Sequence, residues 1–312
     1  MTERILVTGG AGYLGSILCE HLLDAGYHVT VLDNLMYGQE PLFHLCSNPN
    51  WDFVRGDTRD EATLTRLLAQ ADYILPLAAI VGAPACDRDP WLARAVNLDA
   101  IRLINRLRSP QQRIIFPVTN SGYGTKSGEV YCTEESPLEP ISLYGRTKVE
   151  AEAELLAAEN TLTLRLATVF GMSPRMRLDL LVNHFTYAAV TDRYLVLFEK
   201  SFKRNFIHVR DVADCFLHAI KHFDAMKGRT YNVGLDSANM SKEELALKIK
   251  EQVPELVIHC SEIGQDPDKR NYIVSNQRLR EAGFEAKRSI EEGIRELIKG
   301  YRMLARSRFH NV

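Results

Sequence analysis

The sequence predicts an α/β protein: a doubly wound parallel sheet with a smaller mixed α/β lobe after it. Three observations carry this. Short runs rich in Ile, Val, Leu or Phe alternate with amphipathic segments through the first half of the chain. A glycine-rich turn, Gly9-Gly10-Ala11-Gly12-Tyr13-Leu14-Gly15, joins the first such run to the first amphipathic segment. After Gly171 the rhythm loosens.

The strand candidates are Arg4–Thr8, His28–Leu32, Asp52–Arg55, Tyr73–Leu77 and Ile114–Val118. Each is short and apolar, as a strand buried between helical layers requires. Between them, Gly12–Ala25, Asp60–Gln70 and Pro90–Leu107 carry apolar residues at three- and four-residue spacing. That is the period of a helix resting one face on a core. This β-α-β alternation predicts parallel strands with helices on both faces. A further helix is expected over Ser142–Glu159, leading into a strand at Leu162–Leu166. In the last third, Met176–Ala189, Ser241–Gln252 and Ile290–Leu304 read as helices, and Leu195–Phe198 and Thr230–Val233 as strands. Two regions follow, 1–170 and 171–312, with the chain crossing between them more than once.

Composition excludes several functions. The 312 residues are 46% hydrophobic and 25% charged, with a net charge of −2 and no long block of Lys or Arg. A nucleic-acid or anionic-membrane surface is therefore not expected. The six cysteines contain no CxxC pair, which gives neither a zinc site nor a disulfide framework and suits reduced thiols in a cytoplasm. The chain enters a strand almost at once, so no signal peptide is expected. The most apolar stretch, Tyr73 to Ala85, is too short to span a bilayer and contains Gly82 and Pro84.

The glycine turn has the context of a dinucleotide site. It follows a strand and opens a helix at Gly12, and its missing side chains let a pyrophosphate approach the N–H groups at the helix start. Gly9, Gly12, Tyr13, Leu14 and Gly15 are the candidates there. Asp33 ends the second strand, at roughly the 20-residue offset expected of a ribose-binding carboxylate. It would accept from both adenosine ribose hydroxyls and repel a 2′-phosphate, which selects NAD. Residues 1–170 thus read as a Rossmann domain. Asp57 either accepts from the adenine amino group or caps the next helix before Glu61. Asn34, Thr58, Leu77, Ala78 and Ala79 complete this candidate set, the alanines leaving room for a cofactor.

Tyr144 and Lys148 lie four residues apart and share one face of a predicted helix. A tyrosine of ordinary pKa, about 10, is a poor base at neutral pH. A nearby ammonium would favour the phenolate and let it take a hydroxyl proton as a hydride leaves. Thr119, at the carboxyl end of the fifth strand, would face the same crevice.

TGGAGYLG, Asp33, Leu77–Ala79, Asn97, the TNSGYG run from Thr119 to Gly124, and YGRTK together resemble the extended short-chain dehydrogenase/reductases acting on nucleotide sugars. The resemblance spans Arg4 to about Phe284. It implies Tyr144 as base, Lys148 on the nicotinamide ribose, Thr119 on the reacting sugar oxygen, and Asn97 supporting the site, with Thr168 near the nicotinamide. In related 4,6-dehydratases that threonine is followed by Asp and Glu, which expel water. Here Asn120 and Ser121 stand there, so dehydration is not expected and both become substrate candidates. A 4-epimerase or a 4-dehydrogenase remains. The stretches TNSGYG, Ser173–Asn183, Arg204–Val212 and Asp266–Asn276 look like those of GDP-D-glycero-α-D-manno-heptose 4-dehydrogenases of bacterial capsule pathways.

A sugar nucleotide carries a diphosphate, which the fork of a guanidinium matches. Arg175, Arg177, Arg204, Arg210 and Arg270 are the candidates, and the resemblance places Arg204 on the diphosphate and Asn183 on a phosphate or sugar oxygen. His208 reads as a packed strand residue and Cys86 as structural. By the resemblance, the helices of 90–107 and 142–159 pair across a two-fold axis, so a homodimer is expected.

Overall fold

The computed structural model describes residues 2–38, 41–126, 131–261 and 270–304. Residues 266–269 of the Asp266–Asn276 stretch lie outside them.

The first half builds β1 (Arg4–Thr8), α1 (Tyr13–Asp24), β2 (His28–Asp33), β3 (Trp51–Arg55), α2 (Glu61–Leu68) and β4 (Tyr73–Pro76). Then come α3 (Ala83–Arg88), α4 (Pro90–Arg94), α5 (Ala100–Leu107), β5 (Arg113–Thr119) and β6 (Tyr131–Cys132). The expected helix over 90–107 is interrupted by a π-helical turn at Ala95–Asp99. Next are α6 (Leu143–Leu156), β7 (Thr161–Leu166), β8 (Thr168–Phe170), α7 (Leu181–Thr191), β9 (Tyr194–Leu197) and β10 (Lys203–His208). The chain continues through α8 (Val209–Lys221), α9 (Phe223–Met226), β11 (Thr230–Val233), β12 (Asn239–Ser241) and α10 (Lys242–Gln252). It closes with β13 (Val257–Cys260), β14 (Ile273–Val274), α11 (Gln277–Glu281) and α12 (Ile290–Tyr301).

Seven strands form one parallel sheet in the order β11-β7-β5-β4-β1-β2-β3. Strand order reverses between β1 and β4, the switch point outside which such sheets bind ligands. Alternate side chains serve opposite faces, as the pleat dictates. On β1, Ile5 and Val7 join one core and Leu6 the other, and on β5 Ile115 opposes Ile114, Phe116 and Val118. The first core runs without a break into the second lobe, through Phe206, Val212, Phe216 and Leu297. That lobe holds the three-stranded sheet β12-β10-β8 and the pairs β13-β9 and β14-β6. Strand β11 returns to the edge of the large sheet, and β6 pairs with β14.

One expectation fails locally. The helix expected at 176–189 starts only at Leu181. Ahead of it, Arg177 pairs with Asp179, and the Asn183 amide donates to the Arg177 carbonyl at 2.9 Å. Side chains that bond neighbouring backbone in this way compete with the helical ladder.

A buried ion pair ties α6 to β7. The Arg165 guanidinium donates to both oxygens of Glu152, and its Nη1 donates to the Tyr123 hydroxyl at 3.2 Å. The side chains of Arg165 and Glu152 are 7% and 2% exposed. Removing one partner strands a charge away from water. Arg165→Met should cost about 3–5 kcal/mol in a urea titration, and adding Glu152→Leu should recover most of it. A single-variant loss under about 1 kcal/mol would contradict so buried a pair.

Candidate active site

One cavity of about 1040 Å³ lies along the carboxyl ends of β1, β2, β4, β5 and β7 and is walled on its other side by the second lobe. Parallel strands leave their ends open there, so the residues just past each strand become its lining.

The glycine turn forms one end. Gly9 takes a φ of +73°, and a Cβ on it would lie 2.5 Å from the Ala78 nitrogen. A Cβ on Gly15 would lie 2.6 Å from the Gly10 Cα. Gly12 caps α1 without a capping side chain, so its leading N–H groups are left for an anion. Asp33 at the end of β2 accepts from Leu35 N at 2.8 Å and Ala11 N at 3.0 Å. Burial raises the pKa of its carboxyl, and those two N–H groups pull the other way. Gly9, Gly12, Tyr13, Leu14, Gly15, Asp33, Asn34, Thr58, Leu77, Ala78 and Ala79 all line this end. An uncapped helix start, a backbone approached without Cβ atoms and a carboxylate one strand away suit a dinucleotide.

The other side of the cavity collects Thr119, Ser121, Tyr144, Lys148 and Thr168. Ser142 caps α6 by accepting from Gly145 N at 3.1 Å, which fixes where Tyr144 and Lys148 emerge one turn apart. Thr119 donates to Ser121 Oγ at 2.8 Å, and Arg270 also donates to that oxygen. Burial pushes Tyr144 up to about 12, opposed by the charges of Arg177 and Arg270. The same burial pulls Lys148 down to about 7, opposed by Glu152 one turn on. Its Nζ lies 3.8 Å over the Phe116 ring centroid. The cations that favour the Tyr144 phenolate are therefore Arg177 and Arg270. Burial favours the neutral amine of Lys148, which reduces the charge it can lend to Tyr144.

Residues 5–234 match the model of the NAD dependent epimerase/dehydratase family. The chain belongs to that family. Its cofactor is NAD, and the glycine end of the cavity is where the residues fit it. Over 96% of its length the chain is 31% identical to a UDP-glucose 4-epimerase of Mycolicibacterium smegmatis, covering 98% of that protein. It superimposes on a UDP-glucose 4-epimerase of Thermotoga maritima, solved with UDP-glucose, with a TM-score of 0.83. Identity there is 26%, over 96% of this chain and 99% of the other. A UDP-glucose 4-epimerase of Thermus thermophilus, in complex with NAD, gives 0.81 at 25% identity, covering 97% and 100% of the two chains.

Within this family frame, several expected site residues do other work. Asn97 does not line the cavity; its Oδ1 accepts from Ile80 N at 2.8 Å and its Nδ2 donates to Ile80 O at 2.9 Å. It pins the loop after β4 from behind, as a support. Asn183 is also outside the lining, fully buried, accepting from Gly171 N and donating to Tyr13 and Arg177. Asn120 is fully buried behind Thr119 and does not reach the cavity. Asp60, not Asp57, caps α2 by accepting from Ala62 N. Asp57 lines the cavity, but its carboxylate is gripped by Arg59 through three bonds of 2.7 to 2.9 Å.

Arg175, Arg177, Arg204 and Arg270 line the cavity, and Arg210 does not. Arg204 is buried and lies over the Tyr272 ring. His208 is packed, as expected, with its Nε2 3.0 Å from Glu296 and its Nδ1 accepting from Arg210 N. Burial lifts Cys86 to about 11, an inert thiol. Tyr37, Lys242 and Tyr272 also line the cavity and were missed. Each is an isolated aromatic or cation in sequence, and only the fold gathers them. Among the described residues no group of His, Cys, Asp and Glu could hold a metal, and no helix is long and apolar enough to cross a membrane.

Lys148 gives a pH test. Between about pH 7 and 10.5 the folded protein holds it neutral while the unfolded chain still binds the proton. Stability therefore rises with pH across that window. Without added nucleotide, Lys148→Met should be more stable than the parent below pH 7, by a margin that shrinks towards pH 10. A margin that stays flat in denaturant titrations would show that Lys148 is not held neutral.

Proposed function

We propose that this protein oxidises C4 of a nucleotide sugar, with Tyr144 as base and GDP-D-glycero-α-D-manno-heptose as substrate, giving the 4-keto sugar. The observation that carries the reaction is the convergence of Thr119, Tyr144 and Lys148 on the cavity that also contains the glycine turn. The heptose rests on the likeness of four stretches to GDP-heptose 4-dehydrogenases.

Bound NAD supplies the hydride acceptor. Thr119 positions the C4 oxygen, and Tyr144 takes the hydroxyl proton as the C–H bond is cleaved. Lys148 holds the nicotinamide ribose. Arg177 and Arg270 lower the cost of the phenolate in a site whose burial raises it. Arg204, buried beside Tyr272, and Arg270 suit the substrate diphosphate and its neighbourhood. Neither Asn120 nor Ser121 can act as a carboxylate acid or base, which argues against dehydration. A nucleotide-sugar 4-epimerase is the second reading, favoured by the relatives at 31% and 26% identity. A homodimer through α4, α5 and α6 is part of the proposal, supported by Trp91, 85% exposed on α4.

A panel of GDP- and UDP-sugars, GDP-heptose included, separates the readings by NADH formation and product stereochemistry. Net NADH with a ketone at C4 supports oxidation. An inverted C4 without net NADH would establish the epimerase instead; an added electron acceptor keeps retained NADH from mimicking inactivity. Tyr144→Phe should bind NAD as the parent does and lose at least about a hundredfold in kcat. Unchanged turnover would remove Tyr144 from the base role.

A further inference from the structure

We propose that Arg175 is a cofactor-binding residue, reaching from the second lobe to the adenosine half of the NAD site, where it and Asp33 together set the choice between NAD and NADP. The sequence suggests a substrate phosphate for this arginine, but the fold carries it elsewhere. Its guanidinium lies 4.2 Å over the ring of Tyr37, four residues after Asp33, and both residues line the glycine end of the cavity. Arg175 is only 2% exposed, and its Nη1 donates to Met176 O at 3.1 Å.

The segment bearing it is bolted to the start of α1. The Tyr13 hydroxyl donates to Gly171 O at 2.7 Å. Ser173 Oγ donates to Tyr13 O at 2.7 Å and lies 2.9 Å from Ser16 Oγ. Arg175 is thus fixed relative to the glycine turn, not to the substrate lobe's outer wall. Electrostatics agree, since the charge of Arg175 pulls the Asp33 carboxyl down against its burial. Arg270 on Ser121 and Arg204 over Tyr272 occupy the other side.

The chemistry follows from placement. A buried guanidinium recognises the anionic oxygens of the cofactor diphosphate and the ribose beside them. A 2′-phosphate would meet attraction from Arg175 and repulsion from Asp33. With the carboxylate present NAD is preferred; with it removed the arginine remains to favour NADP. The inference depends on the NAD site alone and is independent of which sugar is oxidised.

Isothermal titration with NAD, ADP-ribose, NADP, UDP and GDP tests it without turnover. Arg175→Met should weaken NAD and ADP-ribose by about tenfold or more while UDP and GDP are unchanged, with Arg175→Lys between. Asp33→Asn should tighten NADP by at least about tenfold, and Asp33→Asn with Arg175→Met should show no such gain. Weakened UDP or GDP with NAD spared would return Arg175 to the substrate and overturn the proposal. So would a double variant that binds NADP as tightly as Asp33→Asn. If Arg175→Met unfolds, Arg175→Lys and Asp33→Asn decide alone: unchanged NAD and NADP binding in both overturns it.

Discussion

The close approach of the β1–α1 turn to the end of β4 governs everything built around it. Gly9 packs its α-carbon where any Cβ would strike the Ala78 nitrogen, and Gly15 does the same against Gly10. This compactness brings the start of α1, the carboxylate of Asp33 and the loop after β4 to one end of a single cavity. A larger residue at Gly9 would push the turn away from β4 and open the cradle that a diphosphate needs. The rest of the site is placed by reference to this turn.

The second lobe is attached to the same turn. Tyr13 serves the cofactor cavity with its backbone and carries the lobe with its hydroxyl, which donates to Gly171 and accepts from Asn183. Ser16 and Ser173 repeat the link one turn along the helix. The residues from Gly171 to Asn183 are therefore spent partly on anchoring. That is why the Asn183 amide is bonded within the protein, why α7 starts late, and why the segment bearing Arg175 is held close to the start of α1.

Burial sets the electrostatics of the reacting end. It raises Tyr144 and lowers Lys148, so each is driven towards its neutral form, and charged neighbours oppose that drift. Glu152 acts on Lys148 from one turn away while also bonding Arg165 on β7. One buried carboxylate thus links the sheet, the helix and the amine. Burial raises the cost of a Tyr144 phenolate above its value in open solvent, and the cations around the cavity offset part of that cost.

Read alone, the sequence determined the parallel sheet, the place of the glycine turn between β1 and α1, and the gathering of Asp33, Thr119, Tyr144 and Lys148 at the carboxyl ends of the strands. These depend on local pattern: period-two and period-3.6 hydrophobicity, glycines between a strand and a helix, and a four-residue spacing on one helix face. Tertiary structure alone decided that Arg175, Arg177, Arg204 and Arg270 line the cavity while Arg210 does not, that Asn97, Asn120 and Asn183 are buried outside its lining, and that Tyr37, Lys242 and Tyr272 line it. It also set the charges of Arg177 and Arg270 against the burial of Tyr144. The reason is physical. Side-chain identity fixes what a residue can do, but a charge or an amide acts through distance and burial, and both are set by segments far apart in the chain.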